Sequence, residues 1–339
     1  MFKNRNLITF RKMKKTYKHD KYNKALTTLL ALVKADLPQF MIYIIGVSRV
    51  GKTTLQKDLI RELSGEWRQK IIRFEAPPKM TTQFTFKPFL LRYLAHLGDP
   101  FALNVNRSYR RMKNNELVDL IVKRIKQFGI KLVIIDEADL FVSARGLSQA
   151  YENLQFLKSL VNITEIPHIF AGTPELGEFL AMEGQVINRS HVVQLAPYSL
   201  KNSTHVGIFL QILAEFEKDL SIPVATDLKK RPVILFEATN GCVGALKELL
   251  VRMEALALAH GLKEISAQLI ELFGYYDPAN VRSEEIDEFY TSNSASTAKG
   301  VPSESLRNSR KREWKKSNPK PRRRPGRRKS PRDEVGGDL

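Results

Sequence analysis

The chain has 339 residues, 43% of them hydrophobic, and a formal net charge of +19 at pH 7. This length can bury the core of one large or two modest domains. The single cysteine, Cys242, excludes an intrachain disulfide and favours a reducing, cytoplasmic setting. We find no apolar run of the ~18 residues that a membrane-spanning helix needs, and we expect no membrane partner.

The positive charge is concentrated at the two ends of the sequence. Residues 1–24 carry +8 and residues 301–339 carry +9, which leaves +2 of the total +19 for residues 25–300. We predict a basic N-terminal extension over 1–24 and a disordered basic tail over 279–339, because the latter is too polar and proline-rich to pack. Residues 322–329 (RRRPGRRK) would bind any polyanion; a solubilising tail and a docking peptide are the alternatives.

Apolar runs alternate with helical patterns from residue 22 to about residue 200. Strands are predicted at 41–46, 70–76, 131–136, 166–173 and 191–196, and helices at 22–35, from 51 onward, and around 86–97, 115–128, 149–162 and 174–182. The strands are uniformly apolar rather than alternating, which indicates a parallel sheet covered on both faces. We therefore predict an α/β domain over 25–200.

Only helical patterns follow the last strand. They cover 203–219, 232–239, 243–260 and 266–273. We predict a small α-helical domain over 201–278.

A glycine-rich turn follows the first predicted strand and opens a helix. Its residues are Gly46, Val47, Ser48, Arg49, Val50, Gly51, Lys52 and Thr53, followed by Thr54. The pattern G-x-x-x-x-G-K-[ST] turns backbone N–H groups toward phosphate oxygens at a helix N-terminus. Lys52 would reach the β- and γ-phosphates and the Thr53 hydroxyl would ligate Mg²⁺, so we predict binding of ATP and Mg²⁺.

Two adjacent acids, Asp136 and Glu137, end the third predicted strand. In phosphoryl-transfer sites one acid orders the Mg²⁺ hydration shell and its neighbour polarises the attacking water. We assign Asp136 to magnesium and Glu137 to the general base, and we predict an ATPase. No N-K-x-D motif for guanine is present.

Three further residues are candidates for the same site. Thr173 follows the fourth predicted strand and either contacts the γ-phosphate or caps the next helix. Arg189 either projects to a neighbouring subunit's ATP or is a solvated surface arginine. Lys247, one turn into a helix, either senses phosphates across the domain cleft or is an ordinary exposed lysine.

The segment 107–113 (RSYRRMK) clusters four basic residues around a tyrosine. Arg107, Arg110, Arg111 and Lys113 would contact DNA phosphates; a solvated loop is the alternative.

Together these residues resemble the AAA+ ATPases, and within them the TnsC/TniB transposition regulators of Tn7-like transposons, including CRISPR-associated ones. The resemblance covers about 22–275. It rests on the phosphate loop, LVIIDEAD at 132–139, IPHIFAGTPEL at 166–176 and QVINRS at 185–190. The first two motifs are common to many ATPases, and the other two point to the transposition branch.

The resemblance implies an AAA+ parallel five-stranded sheet followed by a helical lid. It makes Arg189 a finger acting in trans and Thr173 the first sensor, while Lys247 stays open because arginine is the commoner second sensor. Such proteins assemble on duplex DNA as ATP-dependent rings or filaments, hexamer- or heptamer-like. They link a TniQ-like target-selection protein to a TnsA/TnsB-like transposase, and hydrolysis, stimulated by DNA and oligomerisation, disassembles them.

Two other functions remain open from the sequence. A helicase loader or replication initiator would share the AAA+ motifs. Such proteins commonly carry a winged-helix or helix-turn-helix module after the helical lid, whereas in this sequence only a short polar tail follows residue 275. A nucleotide-bound scaffold with little turnover is the second, and the presence of Glu137 argues for turnover instead.

Overall fold

The computed structural model describes residues 17–35, 40–63, 65–78, 85–102, 109, 111–142, 147–182 and 190–274. All of them belong to one compact unit. Arg107, Arg110, Arg189, the first sixteen residues and the predicted basic tail lie outside the described residues, so what the sequence predicts for them stays a prediction.

A parallel five-stranded sheet forms the centre of the described residues. Its strands are β1 (Met41–Gly46), β2 (Ile71–Glu75), β3 (Leu132–Asp136), β4 (His168–Gly172) and β5 (Ser190–Leu195), in the order β2-β3-β4-β1-β5. Every neighbouring pair is parallel. The predicted fold class is confirmed: this strand order, with flanking helices and a helical region after it, is the AAA+ fold.

Helices precede, separate and follow the strands. They are α1 (Asp20–Lys34), α2 (Lys52–Glu62), α3 (Gly65–Arg68), α4 (Phe86–His96), α5 (Asn114–Phe128), α6 (Leu147–Thr164) and α7 (Pro174–Met182), with a 3₁₀ turn at Ala138–Phe141. None of the described helices is long and apolar enough to cross a membrane.

The first helix begins earlier than the sequence pattern suggests. His19 caps it, and the buried Tyr22 donates its hydroxyl hydrogen to Asp58 of α2 at 2.7 Å. Lys18 pairs with Glu62 at 2.9 Å. The predicted boundary at residue 24 therefore falls inside α1, because polar contacts with α2 extend the helix beyond its apolar stripe.

Both faces of the sheet are covered, as uniformly apolar strands require. On one face Ile44 and Ile134 pack with Leu55 of α2 in a cluster that includes α1. On the other face, alternate residues such as Val133 and Phe170 pack in a cluster that includes α4, α5 and α6. The sheet is thus held rigidly between two layers of helices. Side chains at its carboxyl edge therefore have fixed positions.

A helical region follows β5. It consists of α8 (Ser203–Glu217), α9 (Thr226–Lys230), α10 (Pro232–Thr239), α11 (Val243–Ala259) and α12 (Ala267–Phe273). The short α9 has too few residues to give a periodic signal in the sequence. Before α11, Gly241 adopts a left-handed φ of 68° and its carbonyl accepts from the Tyr198 N–H at 2.9 Å. This contact joins the start of α11 to the segment that leaves β5.

Candidate active site

The predicted phosphate and acid motifs meet at the carboxyl edge of the sheet. Because β4 lies between β1 and β3, the segment after β4 stands between the two motifs. Ile45 pairs with Gly172 across β1 and β4, and Glu75 pairs with Asp136 across β2 and β3. Open parallel sheets bind ligands at this edge, so the strand order brings Lys52, Asp136 and Thr173 to one site.

The loop after β1 has the backbone that a phosphate cradle requires. A β-carbon at Gly46 would stand 2.7 Å from the carbonyl oxygen of Leu195, so only glycine fits there. Arg49 and Gly51 have left-handed φ values of 62° and 111°. The other loop residues, Val47, Ser48 and Val50, lie between β1 and α2, and Thr54 lies in the first turn of α2. Left-handed φ values at Arg49 and Gly51, separated by the ordinary φ of Val50, can turn successive N–H groups inward.

The Lys52 side chain folds back over this loop. Its Nζ donates to the carbonyl oxygens of Gly46 at 2.6 Å and Val47 at 3.1 Å. Burial lowers the pKa of Lys52, and the nearby carboxylates, Asp136 and Asp139 first among them, oppose that shift. The ammonium group is therefore held at the mouth of the loop, where a polyphosphate would approach.

Thr53 and Asp136 provide oxygen atoms suited to Mg²⁺. The Thr53 hydroxyl donates to Asp136 Oδ2 at 2.9 Å, and Asp136 Oδ1 accepts from the Glu137 N–H at 3.1 Å. No group of three acidic, histidine or cysteine side chains in the described part of the chain could hold a metal alone. Mg²⁺ characteristically uses one or two protein oxygens together with water and substrate phosphates. Thr53 and Asp136 fit that pattern.

Glu137 stands at the exposed end of β3 in a strained backbone conformation. Its φ of 57° is left-handed, which is uncommon for a residue other than glycine. Partial desolvation raises the pKa of the Glu137 carboxyl, as do the carboxylates of Glu75, Asp136 and Asp139, while Arg92 opposes them. A raised pKa strengthens the carboxylate as a base, which suits proton abstraction from water.

Thr173 occupies the position between the two motifs that the sequence predicts. Its Oγ1 is buried and has no hydrogen-bond partner among the described residues. The hydroxyl therefore does not cap α7, although the Thr173 carbonyl accepts from the Leu176 N–H. The Thr173 N–H donates to Asp139 Oδ1 at 3.2 Å, which fixes the segment after β4 against the turn after β3.

The N-terminal turns of α11 approach the phosphate loop from the helical side. A β-carbon at Gly244 would overlap the carbonyl oxygen of Arg49. The Arg49 guanidinium also pairs with Glu248 at 3.1 Å. Lys247 lies one turn after Gly244 on α11. Its role in sensing phosphates stays a prediction.

The basic segment proposed for DNA is only partly described. Arg111 and Lys113 are exposed at the start of α5. The Tyr109 hydroxyl donates to the buried Asp99 at 2.8 Å, and Arg124 of α5 donates to the same carboxylate at 3.3 Å. Tyr109 is thus anchored to the protein by its hydroxyl, and the two exposed cations remain accessible to a polyanion.

The structure adds residues that the sequence motifs do not identify. Arg73 of β2 donates to Asp136 Oδ2 at 2.7 Å and to Gln56 Oε1 at 2.6 Å. Asp139 holds the Thr173 backbone, and Glu248 holds Arg49. An arginine inside the apolar run KIIRFEA is a signal that could have identified Arg73. Neither Glu248 nor Gln56 has such a signal, since both fit an ordinary helix.

The family comparison agrees with this geometry. Residues 37–180 match the family model AAA_22, described as an AAA domain. That stretch contains the loop, both acids and Thr173. Residues 37–180 form an AAA domain. The chain therefore carries a P-loop nucleoside-triphosphatase domain. No curated protein sequence matches the chain.

Solved structures with low sequence identity have a similar fold. The ORC2 protein of Aeropyrum pernix in its ADPNP-ADP complexes has 14% identity and a TM-score of 0.53, with 80% of this chain and 71% of that chain covered. Its ADP form gives 15% identity, a TM-score of 0.53 and coverages of 74% and 66%. The Walker-type ATPase PABY2304 of Pyrococcus abyssi has 17% identity and a TM-score of 0.48, with coverages of 83% and 77%. At such identities, the ORC2 similarity supports the AAA+ fold alone.

Proposed function

We propose that this protein binds ATP with Mg²⁺ at the carboxyl edge of the sheet and hydrolyses it. The observation that carries the proposal is the hydrogen bond from Thr53 at the phosphate loop to Asp136 at the end of β3, with Glu137 next to it. Two chain segments far apart in sequence thereby bring a phosphate cradle, two oxygen donors for the metal and a base to one place.

Each residue has a distinct part in this reaction. The loop N–H groups and Lys52 bind the phosphates, and Thr53 and Asp136 hold the Mg²⁺, which when bound neutralises charge on the phosphate oxygens. Glu137 accepts a proton from the attacking water. The Thr173 hydroxyl, held by Asp139 through its backbone, is available to orient that water or the γ-phosphate.

The direct test is phosphate release from ATP by the purified full-length chain. We expect turnover that requires Mg²⁺ and that falls sharply in Glu137→Gln while ATP still binds. Equal slow turnover in the variant and the parent would contradict hydrolysis at this site and favour a nucleotide-bound scaffold.

We further propose that hydrolysis regulates DNA transposition. The support is the resemblance of residues 22–275 to TnsC/TniB proteins, together with exposed Arg111 and Lys113 and the basic character of both chain ends. The protein would assemble on duplex DNA with ATP, link a TniQ-like target selector to a TnsA/TnsB-like transposase and disassemble on hydrolysis.

Assembly is tested by binding of duplex DNA with ATP, with ADP and without nucleotide. We expect the ATP state to bind most tightly and to form rings or filaments in electron micrographs with a non-hydrolysable analogue. Equal affinity in all three states would contradict nucleotide-controlled assembly.

Removal of residues 301–339 should weaken salt-sensitive DNA affinity and leave assembly intact.

The proposed role of Arg189 in trans has its own test. We expect that neither Arg189→Ala nor Glu137→Gln subunits hydrolyse ATP alone, whereas a mixture recovers part of the activity. Recovery follows because an Arg189→Ala subunit still supplies Glu137 and its Glu137→Gln neighbour still supplies Arg189. Failure of every mixture to recover activity would mean that Arg189 does not act across a subunit boundary.

An initiator or helicase loader is the second candidate, because such proteins share the AAA+ motifs. The two candidates differ in the protein they recruit. If the protein stimulates DNA integration by a cognate transposase, and Glu137→Gln loses that stimulation, transposition is supported. If the protein instead retains a replicative helicase on DNA, an initiator or helicase loader is supported.

A further inference from the structure

We propose that Arg73 and Gln56 are positioning residues that orient Asp136 for Mg²⁺, so that the metal-dependent part of nucleotide affinity depends on Arg73. This inference rests on the proposed function of the same site. It concerns two residues outside the phosphate-loop and acid motifs, and it predicts a property that loss of a simple structural contact would not produce.

A closed chain of hydrogen bonds joins Gln56, Arg73, Asp136 and Thr53. Gln56 Oε1 accepts from Arg73 Nε at 2.6 Å, the Arg73 terminal nitrogen donates to Asp136 Oδ2 at 2.7 Å, and the same oxygen accepts from Thr53 at 2.9 Å. Thr53 and Gln56 lie three residues apart on α2, on one helix face. The chain thus links α2 to β2, β2 to β3, and β3 back to α2.

The sheet places Arg73 on the same face as Asp136. Arg73 pairs in register with Ile134, two residues before Asp136 on the neighbouring strand β3. Ile71 and Ile134 both pack in the cluster on the α2 face of the sheet. Because side chains alternate along a strand, Arg73 and Asp136 share that face. The arginine therefore reaches the carboxylate from beside it and leaves the phosphate loop open.

The ion pair between Arg73 and Asp136 is largely buried. The Arg73 and Asp136 side chains are 19% and 6% exposed, so solvent screens their ion pair weakly. Gln56 is completely buried, and its Nε2 has no hydrogen-bond partner among the described residues. A buried amide with an unused donor is unfavourable compared with an apolar side chain. What Gln56 contributes at this place is the oxygen that fixes Arg73.

These contacts determine how Asp136 presents its oxygens. A carboxylate oxygen has about two acceptor positions, and Thr53 and Arg73 use both on Oδ2. The Glu137 N–H uses one position on Oδ1, which leaves the other position on Oδ1 not used by the described residues. Asp136 would therefore hold Mg²⁺ through Oδ1, with Arg73 preventing rotation of the carboxylate.

The test measures affinity for a fluorescent ATP analogue in Mg²⁺ and in excess EDTA. In Arg73→Gln we expect the gain in affinity that Mg²⁺ gives to shrink by roughly tenfold, the effect of losing one charge-assisted hydrogen bond. Affinity in EDTA should stay within about twofold, because Arg73 contacts neither the loop nor Lys52. Arg73→Lys keeps the charge but cannot bridge both partners, so it should lose part of the gain.

Gln56→Met supplies a second variant that leaves both charges in place. We expect a smaller loss of the Mg²⁺-dependent gain than in Arg73→Gln, and little added loss when the two substitutions are combined, because they interrupt one chain. Should Arg73→Gln fail to fold, Gln56→Met and Arg73→Lys carry the same test.

Arg124→Gln is the matched control. Arg124 also pairs with a buried carboxylate, Asp99, but it belongs to α5 on the opposite face of the sheet. We expect it to lower the melting temperature without changing the Mg²⁺-dependent gain. If Arg73→Gln behaves like this control, or weakens binding equally in Mg²⁺ and EDTA, the inference is wrong. A parent protein that binds no nucleotide would instead overturn the proposed function.

Discussion

The two sides of the candidate site are built differently. On the sheet side, Asp136 is 6% exposed and receives hydrogen bonds from Thr53 and Arg73. On the helical side, the ion pair that touches the phosphate loop joins Arg49 and Glu248, whose side chains are 62% and 59% exposed. Buried charge-assisted bonds hold geometry, whereas exposed ion pairs contribute at most about 1 kcal/mol. The sheet side is thus preorganised and the helical side is weakly attached.

This difference suggests that the two sides of the proposed ATPase site have different roles. Chemistry needs groups held within fractions of an ångström, which the sheet edge supplies. A response to nucleotide needs a part whose position changes at low free-energy cost, and the contact of α11 with the loop is of that kind. Substitutions on the sheet side should therefore change turnover or binding strongly, and those on the helical side should change stability or coupling mildly.

The largest effect is expected for Glu137→Gln. Removal of a general base typically lowers the rate by 10²–10⁴-fold, and we expect a loss of about that size in phosphate release. Nucleotide affinity should change little, because Glu137 does not contact the loop. Glu215→Gln, which removes a surface carboxylate from α8, is the control and should leave turnover unchanged. A fall in affinity equal to the fall in rate would contradict the assigned role.

Lys52→Ala is expected to weaken nucleotide binding by roughly 100-fold, since it removes charge-assisted hydrogen bonds to phosphate. Fluorescence titration with an ATP analogue measures the change. Lys57→Ala is the matched control, because Lys57 is an exposed lysine on the same helix, α2. If both variants bind alike, the side chain over the loop does not hold phosphate.

The pH dependence of turnover tests the environment of Glu137. Desolvation and neighbouring carboxylates raise the pKa of Glu137, and a base works only when deprotonated. Turnover should therefore fall as pH drops through that raised pKa, about tenfold per pH unit, with an inflection above the ordinary glutamate value of about 4.3. The pH–rate profile of the parent, with melting curves at each pH to exclude unfolding, gives the inflection. Turnover that does not fall as the pH drops, while the protein stays folded, would contradict the role of Glu137 as the base.

The sheet side was also the more predictable half from sequence. Gly46, Gly51 and Lys52 form a local pattern whose spacing requires one backbone conformation, and the uniform apolarity of LVIID predicts a buried strand that ends in an acid. The parallel sheet follows from the alternation of apolar strands with helices, and the convergence of the loop, Asp136 and Thr173 follows from the strand order in the structure. Local sequence is informative where local geometry performs the function.

The contacts missed are those that join distant segments through ordinary side chains. Gln56 and Glu248 look like typical helix residues, and only the folded arrangement brings them to Arg73 and Arg49. The early start of α1 is a similar case, since Tyr22 is held by Asp58 of α2 rather than by its own helix. Sequence periodicity indicates which face of a helix or strand is apolar, but it does not indicate which polar side chains pair between elements.

A moderate effect is expected for Gly244→Ala on the helical side. Alanine favours a helix over glycine by about 1 kcal/mol, but here its β-carbon would overlap the Arg49 carbonyl. We expect a net loss of about 1–3 kcal/mol in the free energy of unfolding, as in overpacked sites, measured by urea denaturation. Gly207→Ala on α8 is the control: open space surrounds that position, so the substitution should stabilise the protein. Equal stabilisation by both would show that α11 moves away from the loop at negligible cost.

The smallest effect is expected for the Arg49–Glu248 pair. We expect a double-mutant cycle of Arg49→Gln and Glu248→Gln, read by unfolding free energy, to give a coupling of about 0.2–1 kcal/mol that disappears in high salt, as exposed ion pairs do. Because the coupling is small, phosphate binding by the loop can exceed it and reposition α11. A coupling well above this range that resists salt would mean that the helical side is as firmly held as Asp136, and the contrast between the two sides would fail.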